Sequence, residues 1–169
     1  MPTRALLLPL GALVIAACAA TPSAAPSAAS GWTLAPPSPG PSVGIVDADV
    51  VIDVYKSPSC DCCHEWEAYV RSLGYEVRSF PTDDMGAVKA RHDLPQETWS
   101  CHTAVIDGYV VEGHVPVEAI RDLLALRPAI DGIALPAMPA GSPGMPGVKA
   151  GPIEILAISD GAVTDFGAY

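Results

Sequence analysis

From residue 49 onward the chain switches between two hydrophobic periods. "VVIDVY" (50–55) is a short β-branched run and predicts a buried strand. "SPS" breaks it. Trp66, Tyr69, Val70 and Leu73 then recur at i, i+3, i+4 and i+7, the spacing of one helix face, with Gly74 as the stop. Carried backwards, that stripe reaches Cys62 and Cys63, so the cysteines should open the helix directly after a strand. "YEVRSF" (75–80) alternates as a second strand, and "TDDMGAVKARHDL" (82–94) predicts a short helix closed by Pro95. "TAVIDGYVVEG" (103–113) is two β-branched runs joined by Asp107-Gly108, a hairpin signal. "VPVEAIRDLLALRP" (115–128) predicts a helix with Pro116 in its first turn and Val117, Ile120, Leu123 and Leu124 facing inward. Residues 128–152 carry six prolines and five glycines and should form an irregular loop. "IEILAISDGAVTDF" (153–166) predicts another hairpin, turning at Asp160-Gly161.

The expected order is thus β-α-β-α-β-β-α, with a Pro/Gly-rich loop and a C-terminal β-hairpin. A Cys60-x-x-Cys63 placed between the first strand and the first helix of such an α/β order looks like the thioredoxin fold. In that fold the loop before the third strand lies against the helix start. Here that loop is "SCHT", which gives Cys101 and His102 a physical reason to meet Cys60, Cys62 and Cys63.

The first 48 residues follow neither period. Arg4 is the only charge before "ALLLPLGALVIAACAA", an apolar run too short and too poorly flanked for a membrane span. Residues 1–17 read as a signal peptide. "VIAAC" resembles the lipobox of bacterial lipoproteins, in which the cysteine, here Cys18, is lipidated and becomes the first mature residue. The alternative is an ordinary signal peptide with Cys18 discarded. "ATPSAAPSAASGWTLAPPSPGPSVG" then has no charge and too little apolar bulk to offset its ordering entropy. Residues 18–48 are therefore expected to be a lipid-anchored tether and residues 49–169 the folded domain. Either processing route implies export, and the lipobox implies a periplasmic protein held to a membrane. The formal charge of −10 argues against a nucleic-acid partner, since no basic surface displaces phosphate counterions.

The chemistry is concentrated in "KSPSCDCCHEW" and "WSCHTAV". A CxxC at a helix N-terminus has its thiolate stabilised by unpaired N–H groups, which suits thiol–disulfide exchange. Cys62 is a surplus thiol for that purpose, and "CHTA" lacks the proline that exchangers of this fold usually carry before the third strand. Soft thiolates instead select Cu(I), zinc or iron–sulfur clusters. Zinc sites usually draw paired cysteines from two knuckles. Adjacent Cys62 and Cys63 more easily bind two metals, with sulfurs bridging, which favours a polynuclear Cu(I) cluster. Four cysteines in an oxidising compartment can also be two structural disulfides.

"YKSPSCDCCHEWEAYVRSLGYEV", "SCHTAVIDGYVVEGHVP" and "RPAIDGIALPAMPAGSPGM", with the terminal hairpin, resemble the CopG-like copper-resistance proteins. The resemblance covers residues 49–169. It implies a thioredoxin-like fold carrying a cysteine-bridged multi-copper cluster, with Cys60, Cys62, Cys63 and Cys101 as ligands and redox chemistry on copper as the activity. It also implies envelope partners, an electron donor or other copper-resistance proteins. Two other functions remain open at this point: a thiol–disulfide oxidoreductase, and a copper storage or shuttle module without catalysis.

His102, next to Cys101, is a candidate ligand or a hydrogen-bond donor to sulfur. His114 and Met145 are further candidate ligands, the latter because thioethers suit Cu(I) and a Gly/Pro loop can fold over a cluster. His64 and His92 are expected to face solvent, and Trp66 and Trp99 to pack beside the cysteines.

Overall fold

The structure, a computed structural model, describes residues 50–169. The elements are β1 (Val51–Lys56), α1 (Asp61–Ser72), β2 (Glu76–Pro81), α2 (Met85–Arg91), a 3-10 turn (Gln96–Thr98), β3 (His102–Ile106), β4 (Tyr109–Gly113), α3 (Val117–Leu126), β5 (Gly132–Leu135), β6 (Glu154–Ser159) and β7 (Ala162–Ala168). The expected β-α-β-α-β-β-α order and the C-terminal hairpin are present, in a mixed α/β domain. No helix of the described residues is long and apolar enough to cross a membrane.

All seven strands form one sheet in the order β2-β1-β3-β4-β5-β6-β7. β1 runs parallel to β2 and antiparallel to β3, and β4 runs parallel to β5. Both hairpins turn where the sequence indicated. Asp107 and Gly108 have φ of 48° and 87°, and Asp160 and Gly161 have 49° and 76°, the paired positive values that match the twist of a two-residue hairpin.

The 128–152 segment departs from expectation. Gly132–Leu135 is a fully buried strand that joins the two hairpins into one sheet, not irregular loop. Four residues hemmed by proline and glycine carry no readable period; tertiary pairing with β4 and β6 makes the strand.

The sheet separates two apolar layers. Ile52, Val54, Ala104, Ile106, Val111 and Ile133 pack with Trp66 and Val70 of α1 and Val117, Ile120 and Leu123 of α3. Val110, Ala134 and Ile158 point the other way, towards Leu94. Each fully buried aliphatic side chain contributes roughly 1.5–3 kcal/mol, so this double core fixes the sheet ends that carry the cysteines.

Candidate metal centre

The site is assembled from three pieces. The first is the turn from β1 into α1. Cys60 caps α1 with extended backbone, and Cys63 is buried with Trp66, Glu67 and Val70 on the inward face. Cys60 and Cys63 are joined as a disulfide, while Cys62 and Cys101 are free thiols. Cys62 Sγ lies 3.6 Å from Cys60 Sγ. His64 turns outward and is exposed, and its Nδ1 donates to the Cys60 carbonyl at 2.9 Å.

The second piece is the strand start at Cys101 and His102. β3 pairs with β1 so that His102 stands opposite Lys56, at the strand end from which the cysteine turn departs. The Sγ atoms of Cys60, Cys62, Cys63 and Cys101 all lie within 4.8 Å of one another. His102 is 0 % exposed, and its ring packs against Trp66 with centroids 4.5 Å apart. Its Nδ1 is 3.4 Å from Cys101 Sγ, while its buried Nε2 has no hydrogen-bond partner. Burial first, then electrostatic interaction with the neighbouring His114, Lys89 and Lys56, hold the His102 imidazole neutral, well below its ordinary range.

The third piece is His114 with the loop beyond β5. His114 Nδ1 donates to the Pro143 carbonyl at 2.6 Å, which leaves the Nε2 lone pair facing Cys101 Sγ at 3.0 Å. Gly144 follows, with φ +78°. A Cβ there would stand 2.7 Å from Trp66 N and 3.1 Å from the Cys62 carbonyl, so glycine lets the loop touch the first turn of α1. Met145 lies in the same turn, its N–H donating to the Ser142 carbonyl at 2.9 Å, and is partly buried. Cys101, His102 and His114 also offer three ligand atoms within 4.8 Å of one another, a second set that shares Cys101 with the first. Burial, then the neighbouring Cys62, pushes the Cys101 thiol up to about 12. It is therefore a thiol at neutral pH, able to donate to His114 Nε2, and a metal binding there would displace that proton.

Around these groups lie buried charges that periodicity alone did not single out. Lys56 and Glu67 face each other at 3.0 Å, and Glu67 also accepts from Ser79 Oγ at 2.7 Å and from Arg71 at 3.2 Å. On the opposite side of the sheet Lys89 pairs with Glu112. A signal for the first pair was available: Ile52, Val54 and Lys56 share one alternating buried phase, which puts the lysine inside. Glu112 likewise interrupts an otherwise apolar strand. His92 is partly buried beside Tyr55, not freely solvated as expected, and lies outside both ligand sets. Cys18 lies outside the described residues.

These features define a class: a mixed α/β sheet protein with a cysteine–histidine cluster where a CxCC helix start meets a Cys-His strand start. Residues 98–145 match the family described as "Protein of unknown function, DUF411", a stretch that holds Cys101, His102, His114 and Met145. No curated protein matches the chain. Two solved structures do. "Copper resistance protein copG- Form 2" is 38 % identical, with a TM-score of 0.66, over 71 % of this chain and 98 % of that one. "Copper resistance protein copG- Form 1" is 38 % identical, with a TM-score of 0.65, over 70 % and 96 %. The chain belongs to the CopG copper-resistance family.

Proposed function

We propose that this protein handles copper in the cell envelope and holds Cu(I) through Cys60, Cys62, Cys63 and Cys101 in a polynuclear, sulfur-bridged site. The observation that carries this reading is the convergence of four sulfurs within 4.8 Å. The donor chemistry fits copper: thiolates are soft, and neutral imidazoles suit the same metal. The Nδ1 of His102, 3.4 Å from Cys101 Sγ, and the Nε2 of His114, 3.0 Å from it, supply further donors beside the site, and Met145 follows Gly144 in the loop that touches α1. The named relatives are copper-resistance proteins. The β2-β1-β3-β4 order supports the thioredoxin-like description of the scaffold.

The chain's own residues set the conditions for loading. With Cys60–Cys63 closed, Cys62 and Cys101 are the only thiols among the described residues. A dithiol reductant would open the bridge by giving it two electrons and two protons, itself becoming a disulfide, and would so present all four thiols. Bound copper would supply one-electron chemistry between Cu(I) and Cu(II). The protein supplies the soft ligands, the Trp66 wall against water and two buried imidazoles, of which His114 has its Nε2 kept free of a proton by the bond from its Nδ1 to the Pro143 carbonyl. A thiol–disulfide exchange role has one observation in its favour, the Cys60–Cys63 bridge at a helix start. Metal analysis of protein purified from copper-fed cells separates the readings: copper retained after reduction supports a copper protein, and metal-free protein that still reduces disulfides supports exchange.

Residence in the periplasm on a lipid anchor at Cys18 belongs to the same proposal and rests on the "VIAAC" sequence. Cys18→Ser should move the protein from the membrane fraction to the soluble one. Unchanged fractionation would point to a plain signal peptide.

A further inference from the structure

Glu112 is 0 % exposed on β4, directly opposite Thr103 of β3. Its Oε1 accepts from Lys89 Nζ and from the backbone N–H of Ser100, and its Oε2 accepts from Thr103 Oγ1 at 2.7 Å. Lys89 Nζ, itself 4 % exposed, also reaches Thr103 Oγ1 at 3.2 Å. The ring is closed, and every group in it is partnered. A buried ion pair of this kind is weak evidence for stability, because desolvating two charges offsets much of their attraction. Its position is more informative. Ser100 precedes Cys101, Thr103 follows His102, and His114 lies two residues beyond Glu112. One carboxylate therefore ties both backbones that deliver the Cys101, His102 and His114 side chains. It touches none of those side chains itself.

We propose that Glu112, held by Lys89, is a positioning residue: through the Ser100 N–H it sets the distance between Cys101 Sγ and the three sulfurs of the α1 turn. The inference deepens the copper reading and rests on it for its purpose, but the geometry it asserts can be measured without metal.

Two uncharged double variants isolate the anchor. Lys89→Met with Glu112→Gln keeps a side-chain oxygen for the Ser100 N–H. Lys89→Met with Glu112→Leu removes it. Both lose the ion pair, so any difference between them reports the hydrogen bonds to Ser100 and Thr103 and not the charge, and Ser100→Pro separates the Ser100 bond from the Thr103 one. The readout is the rate of iodoacetamide labelling of Cys101 and of Cys62 in the full, metal-free chain with Cys60–Cys63 closed, resolved by peptide mass spectrometry. The Leu variant should label at Cys101 about tenfold faster than the parent, with Cys62 within about twofold, as expected when a buried hydrogen bond to a polar partner is lost. The Gln variant should stay near the parent at both. Equal Cys101 rates in the two variants would overturn the proposal. Should the Leu variant fail to fold, Ser100→Pro deletes the donor and leaves the Lys89–Glu112 pair in place. Trp99, at φ −59° and ψ 135°, already has the backbone a residue before proline requires. Faster Cys101 labelling in that variant supports the anchor, and a parental rate refutes it. Cu(I) stoichiometry on the same variants is read separately. A parent that binds no copper sinks the functional reading and leaves the labelling result standing.

Discussion

Two buried glutamate–lysine pairs stand on opposite faces of the same sheet, each beside one arm of the site. They hold their arms differently. Glu67 sits on α1, one helical turn beyond Cys63, and is tied to Lys56 of β1 and Ser79 of β2. It fixes the helix as a rigid body, and the cysteine turn follows because helix geometry dictates it. Glu112 instead bonds the backbone beside Cys101 directly, since no helix organises that arm. The first pair is also open on one side, where Arg71 is exposed, while Lys89 and Glu112 are sealed. A local motif therefore needs only its helix docked, whereas a residue delivered by a strand start needs its own anchor.

Trp66 lies between the arms and should give the largest effect if removed. It is fully buried, packs at a tilt against the His102 ring and donates from Nε1 to the Val115 carbonyl at 3.0 Å. Trp66→Ala should cost about 3–5 kcal/mol by denaturant unfolding and loosen both arms together. A loss below about 1 kcal/mol would mean that the arms are held independently of it.

Gly144→Ala tests the third piece. The new Cβ meets the backbone of α1 in a left-handed conformation, so the loop must lift, at about 1–3 kcal/mol. His114 then loses its Pro143 partner. A pH titration of the ring followed by NMR would show the change: the Pro143 contact now raises the imidazole's proton affinity against the lowering effect of burial, so its loss should lower the value further if the ring stays buried. An unchanged His114 titration would mean that the loop does not hold it.

The smallest effect concerns the open pair. Burial alone would raise the Glu67 carboxyl, but the Ser79 hydroxyl and Lys56 outweigh it and hold the group below its ordinary value of 4.5. A depressed acid contributes stability that is present above its unfolded value and lost as pH falls through the lowered folded one. Ser79→Ala removes the hydroxyl and should cost about 1 kcal/mol, with the acid-unfolding limb below 4.5 moving to higher pH. An unmoved limb would show that Lys56 and Arg71 set the carboxyl without the hydroxyl. Buried neutral His102 adds an earlier decline as pH falls below its ordinary 6.5, because the unfolded chain takes the proton and the folded one resists it.

What the sequence made legible follows the same division. The α1 stripe, both Asp-Gly turns and the CxCC turn are local patterns and appear where periodicity puts them. The meeting of Cys101 with the other cysteines required a fold hypothesis, and it is present. β5 was hidden because four residues between prolines hold no period. Lys56 and Glu112 are hard to read from sequence because charge ordinarily marks solvated surface, although each stands in a buried strand phase. The Pro143 and Gly144 contacts with His114 and α1 join distant segments, and no short-range pattern encodes them.

If the four converging cysteines share metal ions by bridging, they hold more than one Cu(I) between them. Anaerobic Cu(I) titration of the fully reduced protein, beside Cys62→Ser, tests it most directly. The parent should bind more than one Cu(I) per chain cooperatively, and the variant should bind fewer with its fold intact. Saturation at a single equivalent, or a Cys62→Ser protein that binds as many ions as the parent, would contradict it.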